Sequence, residues 1–556
     1  MSVIKVPEIK APTPNRNRNA FDLSQRHLFT AHAGMLLPVL SLDLLPDDHV
    51  EINASDFMRT LPMNTAAFAS MRGVYEFFYV PYHQLWRPFD QFITGMKDYN
   101  SSVIQHVYEN ASPTSIPSFS LKEFYNYLNS SEDKEFVDYL GYDRTAGAYR
   151  LLDLLGYSRL YNSSLRTYVD EKGTTPDTLL NGLDFKCNLF RILAYNKIYY
   201  DYYRNSTYES MDCELFNIDD AGFSGFTDDF LKRLFELRYR NCQNDYFTNV
   251  RPSMLFTDGF SGSGLLNRLD PFSGDYTVSS NDNAVSFVID DPQSSSPSNS
   301  FSVQSIRAAF ALDKLASTSM RAGKTFYEQM AAHYGVKIND GRDGRVTYIG
   351  GFDSDIQVSD VTQVSGSSAN SDASLAGHLG KIAGKGTGSG SGRVVFDAKE
   401  HGVLMCIYSL VPQLQYDCTR IDPMVQKLNR FDFFTPEFEN LGLQPLCIDN
   451  VTTINTKQGS VVGYQPRYSE YKTALDINHG QFANKDSLSY WSVGRFRKQG
   501  GFKKFDITML KINPNMLDSI FPVDYNGKEN TDCVFGGCNF NIVKVSSMSV
   551  DGMPRV

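Results

Sequence analysis

From Phe29 onward the chain runs as short apolar stretches bounded by turn residues, which predicts strands. The clearest is Gly73 to Pro81 (GVYEFFYVP), aromatic and β-branched enough for a buried strand and ended by a proline that cannot donate to a ladder. Val394 to Phe396, Val403 to Val411, Ile507 to Ile512 and Phe540 to Val550 are further strand candidates. In the last of these the alternation Phe540, Ile542 changes phase to Val543, Val545, which predicts a β-bulge. Helical periodicity appears between the strands: FKCNLFRILAYNKIYYDYYRN places Phe190, Leu193, Lys197 and Tyr200 at helical spacing, and SIRAAFALDKL gathers Ile306, Ala309, Phe310, Leu312 and Asp313 on one face. Short, widely separated strands with helical and loop excursions predict a mainly β fold. The expected form is an eight-stranded antiparallel jelly roll, a β-sandwich or barrel, with long helical and loop insertions at its ends.

Residues 1–20 carry Lys5, Lys10, Arg16 and Arg18 against Glu8, with three prolines and no apolar period. This is a basic extended arm, either a disordered terminus or an inward-facing arm that meets DNA or a neighbour. Residues 21–556 are taken as one elaborated domain, although length alone allows three or four domains of ~150 residues. Three insertions interrupt it: a Tyr-rich helical one at about 97–240, a polar one at 257–304 and a Gly/Ser-rich one at 364–393. The second has the composition of an exposed or disordered loop, and the glycines at 384, 386, 388, 390 and 392 are expected in a flexible loop.

The chain has 556 residues, 42% of them hydrophobic, so a large core is available. No stretch reaches the ~18 apolar residues that cross a bilayer, and the first residues lack a signal-peptide apolar core, so synthesis in a cytoplasm is expected. Eight cysteines are too sparse for a disulfide scaffold, and the spacing of Cys533 and Cys538 has no second pair to complete a zinc site. A net charge of −10 argues against a surface that grips nucleic acid everywhere, but not against one basic face. A chain of this charge could not neutralise a nucleic acid by itself, so a separate small basic protein or small cations would have to accompany any DNA it holds.

Catalytic signatures are missing. The histidines form no H-E-x-x-H, no serine lies in G-x-S-x-G, the glycine repeat lacks dinucleotide-fingerprint spacing, and AGKT at 322–325 lacks the first glycine of a phosphate loop. Asp47 and Asp48 follow Leu-Leu-Pro as a solvated turn. No enzymatic activity, cofactor or metal is expected. The strongest nucleic-acid signal is GRFRKQGGFKKF, which sets Arg495, Arg497, Lys498, Lys503 and Lys504 among Phe496, Phe502 and Phe505. Such a surface holds single strands by phosphate contact and base stacking; the alternative is phenylalanines in the core with cations lining a loop. With Lys10, Arg16 and Arg18 these are the DNA-contact candidates.

The 32 Tyr and 39 Phe suit extensive subunit contacts. In PYHQLWRPF, Trp86 fills a pocket in a neighbour or in the core, while Arg87 reaches a carboxylate or phosphate. In GYQPRYSEYK, at 463–472, Arg467 and Glu470 are expected to pair across a turn, with Tyr464, Tyr468 and Tyr471 packed about them. These seven residues are the subunit-interface candidates.

Read in order, PYHQLWRPFDQFI (81–93), NDYFTNVRP (244–252), SIRAAFALDKL (305–315), FYEQMAAHYGV (326–336), EHG (400–402), FDFFTPEFENLGLQP (431–445) and GYQPRYSEYK resemble the major capsid proteins of microviruses, small single-stranded DNA phages. FDLS (21–24) and AGMLLP (33–38) add to the match. Several strings are shared with gokushoviruses, while the Tyr-rich stretch between Lys97 and Arg240 is more similar to relatives from Bacteroidetes phages. The resemblance implies a structural protein that self-assembles as sixty copies, with pentameric contacts, into a T=1 icosahedral virion capsid around a single-stranded DNA genome. It also implies that the polar insertion at 257–304 is an outward surface protrusion. Assembly is expected in the bacterial host cytoplasm, without membrane insertion. A small basic DNA-binding viral protein is an implied partner; scaffolding, pilot or spike proteins and a host-surface receptor are candidates. Two other classes stay open: a free single-stranded DNA-binding protein, and a carbohydrate-binding β-sandwich.

Overall fold

A computed structural model describes residues 18–94, 116–121, 144–157, 186–216, 228–252, 275–290, 307–362, 382–416, 420–452, 459–495, 507–521 and 532–550, with short gaps inside several of these spans. Its strands are β1 (Asn19–Asp22), β2 (Gln25–Ala31), β3 (Leu37–Leu44), β4 (His49–Thr60), β5 (Met71–Pro81), β6 (Ser118–Ser120), β7 (Lys186–Asn188), β8 (Asp275–Asn281) and β9 (Ala284–Asp290). After them come β10 (Thr347–Thr362), β11 (Ile382–Asp397), β12 (Gly402–Pro412), β13 (Gln415–Tyr416), β14 (Leu443–Cys447), β15 (Val461–Pro466), β16 (Gly494–Arg495) and β17 (Val534–Ser546).

One antiparallel sheet dominates, in the order β1, β17, β4, β11, β10, β5, β12, β3. β2 pairs with the first half of β17 and β1 with its second half, so the two form one interrupted edge and the sheet has eight strand positions. At the interruption, Leu23 donates to the Ile542 carbonyl at 2.9 Å and the Ile542 N–H donates to Ser24 Oγ at 3.1 Å, so the ladder stays satisfied. The sheet curls until its edges approach: Ala33 bridges to Leu410, and the Phe29 ring lies 4.8 Å from that of Tyr408. This curled antiparallel sheet is of the jelly-roll type expected from the strand pattern.

The inner face is one apolar core that includes Tyr75, Phe77, Phe352, Tyr408, Phe540 and Ile542. Strand β12 is buried at every position because its even residues enter this core while Val403, Met405 and Ile407 enter a second one behind the sheet. That second core is a helical layer. Phe190–Ile198 continues into a π-helical turn, Tyr199–Tyr203, and packs with Arg144–Leu154 and Asp228–Leu234 over β5 and β12. The Tyr-rich region thus contributes the cover of one half of the sheet. A third cluster joins Tyr246, Phe247 and Tyr416 to β14 and β15.

Three local expectations are corrected. The repeat Gly384 to Gly392 lies within strand β11, and its glycines face inward beneath Ile356, Ser354, Phe352, Thr60 and Asp56. A Cβ at Gly392 would stand 2.7 Å from Phe352 Cβ, and one at Gly390 2.8 Å from the Asp353 carbonyl. Glycine is there to let neighbouring side chains cross the strand, not to loosen a loop. Second, β17 runs Val534–Ser546 in unbroken register with β4 and has no bulge; the phase changes because Lys544 takes the inward position and meets buried Asp48 at 2.7 Å. Asp48 is therefore no solvated acid, whereas Asp47, at φ 71°, is exposed. Third, Ile507–Leu510 is a helical turn, after which Lys511 bridges to Asn241. Its apolar residues reach the core through a turn as well as they would through a strand.

Candidate assembly and nucleic-acid surfaces

Of the DNA-contact candidates, Lys10, Arg16, Arg497, Lys498, Lys503 and Lys504 lie outside the described residues. Arg18 pairs with Asp47 at 2.7 Å beside the β1 edge. Arg495 belongs to β16, whose backbone pairs with Tyr416, so the basic segment begins on the third core.

The interface candidates separate. Trp86 is completely buried, with Phe92 and Phe190 at 5.7 and 6.5 Å, so its expected subunit contact is replaced by a core role. The cause is the helical turn Tyr82–Leu85, which swings the chain off β5 into the second core. Arg87, next to it, is exposed. Arg467 and Glu470 do not pair: the Arg467 guanidinium lies 5.0 Å over the Tyr468 ring, and Glu470 is taken by Lys427 at 2.6 Å. Tyr464 is buried on β15 and exchanges backbone hydrogen bonds with Arg251 at 2.7 and 2.8 Å. Tyr468 is buried in a left-handed backbone at φ 62°, and Tyr471 is half exposed.

These contacts form a clamp. Lys427 Nζ also donates to the Asp432 carbonyl at 2.7 Å and sits 4.6 Å over the Tyr471 ring; Gln444 donates to Glu470 at 2.8 Å and accepts from the Tyr468 N–H at 3.0 Å. Burial pushes the Glu470 carboxyl up, but the Lys427 and Gln444 donors outweigh it and hold it below the usual range. What the clamp holds is residues 420–439, a strap of turns and short 3₁₀ pieces. Phe434 meets Tyr468 edge-on at 5.0 Å, and an Asn429–Asp432 capping box fixes the middle. Outward from this base point Ile421, Met424, Val425, Leu428, Phe431, Phe433 and Phe434, with Leu428 86% and Val425 73% exposed.

A second surface lies on the outer face of β2, β17 and β4. Leu28, Phe57 and Phe535 are exposed there although they stand on strands. Leu28 lies over Gly537, where a Cβ would meet Leu28 Cδ2 at 2.6 Å. Arg26 and Arg59 flank them in a shallow groove, and the Arg59 guanidinium sits 4.9 Å over the Phe57 ring. Thr30, Ser55 and Asn539 supply hydroxyl and amide groups. Sequence reasoning missed this groove because β17, from the other end of the chain, builds it together with β2 and β4. The one trace was Ser55, Phe57 and Arg59 alternating with buried Ala54, Asp56 and Met58.

The described surfaces pair an exposed apolar strap with a sheet-borne cationic and aromatic groove, the equipment of a protein that works by association. The profile of the family described as Capsid protein (F protein) matches residues 9–167 and 160–555, and the chain belongs to this phage capsid family. Capsid protein VP1 of Chlamydia phage 1 is 23% identical over 584 aligned positions, covering 89% of each chain. Capsid protein VP1 of Bdellovibrio phage phiMH2K is 23% identical, covering 87% of this chain and 86% of its own. The microvirus resemblance is upheld, and the protein is a major capsid protein, a structural component of a virion. No helix among the described residues is long and apolar enough to cross a membrane.

Proposed function

We propose that sixty copies of this chain close into a T=1 icosahedral shell, with pentameric contacts, around the single-stranded DNA genome of a bacterial virus. The role is structural rather than enzymatic. Closed symmetry reuses one set of surfaces at every axis, so contacts that are weak singly become strong once a ring closes. Weak single contacts also let a misplaced subunit leave, since each ~1.4 kcal/mol of added contact slows escape about tenfold. Assembly takes place in the host cytoplasm, and a small basic viral protein supplies the cations that a chain of net charge −10 lacks. Scaffolding, pilot or spike proteins and a surface receptor are its further candidate partners.

The observation that carries the genome side of this reading is the groove of Arg26, Leu28, Phe57, Arg59 and Phe535. Guanidinium groups beside accessible rings hold phosphates and stack bases without regard to sequence. The test is electron microscopy of the sedimenting fraction from cells that express the chain with its neighbouring viral genes. Shells of about 25–30 nm are expected, the size at which sixty subunits surround a small genome. An Arg26→Ser, Arg59→Ser double variant is expected to give shells in normal yield with less DNA per particle. Unchanged DNA content removes the groove from the genome contacts. If wild type gives only monomers or small rings, the shell reading fails, and salt-dependent binding of free subunits to single-stranded DNA becomes the reading to test.

A further inference from the structure

We propose that the strap 421–434 is a docking element that buries its apolar side chains against a second copy of this chain. This rests on the shell reading above and names one contact of that shell.

Isolated exposed apolar residues need no explanation; a run of them does. Ile421, Met424, Val425, Leu428, Phe431, Phe433 and Phe434 are all at least 39% exposed within one short segment. Aromatic side chains cover ~150–250 Å² each, so the three half-exposed phenylalanines present roughly 300 Å², and the four aliphatic residues bring the patch to about 600 Å². That is the upper end of what a lone monomer displays and about three-quarters of one side of a standard interface.

The strap is also held in place before it binds. Lys427 is 6% and Glu470 8% exposed at their side chains, so the ion pair that pins the strap is itself out of water. The 420 end is tied by the Ile421 N–H to the Asp449 carbonyl at 3.0 Å, and Thr435 donates its N–H to the Tyr468 hydroxyl at 3.4 Å. A surface fixed in advance loses little side-chain and loop freedom when it docks.

Its chemistry selects the occupant. Seven apolar side chains face outward from the strap against one exposed cation within it, Arg430, while Lys427 is engaged with Glu470 and Arg420 with Asp422 at 3.6 Å. A polyanion therefore finds little to hold. A second copy is present at every position of a closed shell, and each copy that offers a strap also offers the surface that receives one.

The test uses the full chain with its neighbouring viral genes. A Leu428→Asp, Phe431→Ser variant changes only exposed side chains and is expected to unfold at the wild-type midpoint while its yield of shells falls at least tenfold. Shells at wild-type yield would overturn the strap and leave the shell reading standing; failure of wild type to form shells would sink both. Leu428→Cys gives a second reading that does not depend on disabling assembly. Its thiol should react with a maleimide in free subunits and be protected at least tenfold in shells. Equal reactivity in both overturns the proposal.

Discussion

The two halves of the main sheet obey the same strand physics and end in opposite circumstances. Behind β5 and β12 the outward residues Phe78, Val80, Val403, Met405 and Ile407 lie under the helical layer. On β2, β4 and β17 the outward residues Leu28, Phe57 and Phe535 are left exposed by the described elements and stand beside arginines. An apolar side chain that leaves the inner face of a strand becomes core only where another element is laid over it. A capsid subunit has use for both conditions: a covered half adds to its own core, and an exposed half is the kind of surface on which the proposed contacts would form.

The sharpest way to break that comparison is to cut one aromatic from each half. Trp86→Ala empties a completely buried site and should lower stability by ~3–5 kcal/mol, whereas Phe57→Ala on the bare half should stay within ~0.5 kcal/mol. Urea unfolding of both variants measures the contrast, and similar losses would mean that the bare half is covered after all.

The seam where the halves curl together should respond to pH. His32 is buried beside Cys533, its Nδ1 accepts the Ala33 N–H at 2.9 Å, and Asp532 and Arg150 act on it with opposite sign. Burial is the largest influence and brings its pKa down to about 4, so it is neutral in the folded chain. The unfolded chain takes up this proton first, near pH 6.5. Stability is therefore complete above about 6.5 and declines as pH falls towards about 4, by about 3 kcal/mol in all. The carboxylates with lowered pKa, Asp48, Glu470 and Asp532, add their losses at lower pH. Unfolding curves of wild type and His32→Gln across pH 4–7 should diverge in slope; parallel curves would exclude His32 as the titrating group.

The smallest effect concerns the strand between the halves. Gly392→Ala puts a methyl group 2.7 Å from Phe352 Cβ and should cost ~1–3 kcal/mol, while Ser391→Ala, facing outward, should cost almost nothing. Equal thermal midpoints for the two variants would show that β11 yields more readily than its packing implies.

The legible parts of the fold were those in which one side-chain property decides the local structure. Gly73 to Pro81 and Val403 to Val411 read as strands because a continuous β-branched and aromatic run has few other uses, and the helix from Phe190 read correctly from its period. The glycine strand β11 did not, because its reason for lacking side chains lies on β4 and β10. Partner choice was equally hidden: Glu470 stands three residues from Arg467 in the chain, yet it bonds Lys427, forty-three positions away. Phe431, Phe433 and Phe434 gave no sign in sequence that they would be exposed.

By itself the sequence determined the class: mainly β, poor in catalytic motifs, acidic overall, and akin to phage capsid proteins through strings spread along the chain. Periodicity and composition are local properties and survive in one dimension. Only the tertiary structure decided which apolar residues are core and which are surface, which acid meets which cation, and where the groove and the strap lie. Those outcomes depend on elements distant in sequence arriving at one place, where burial and approach distance set the energies.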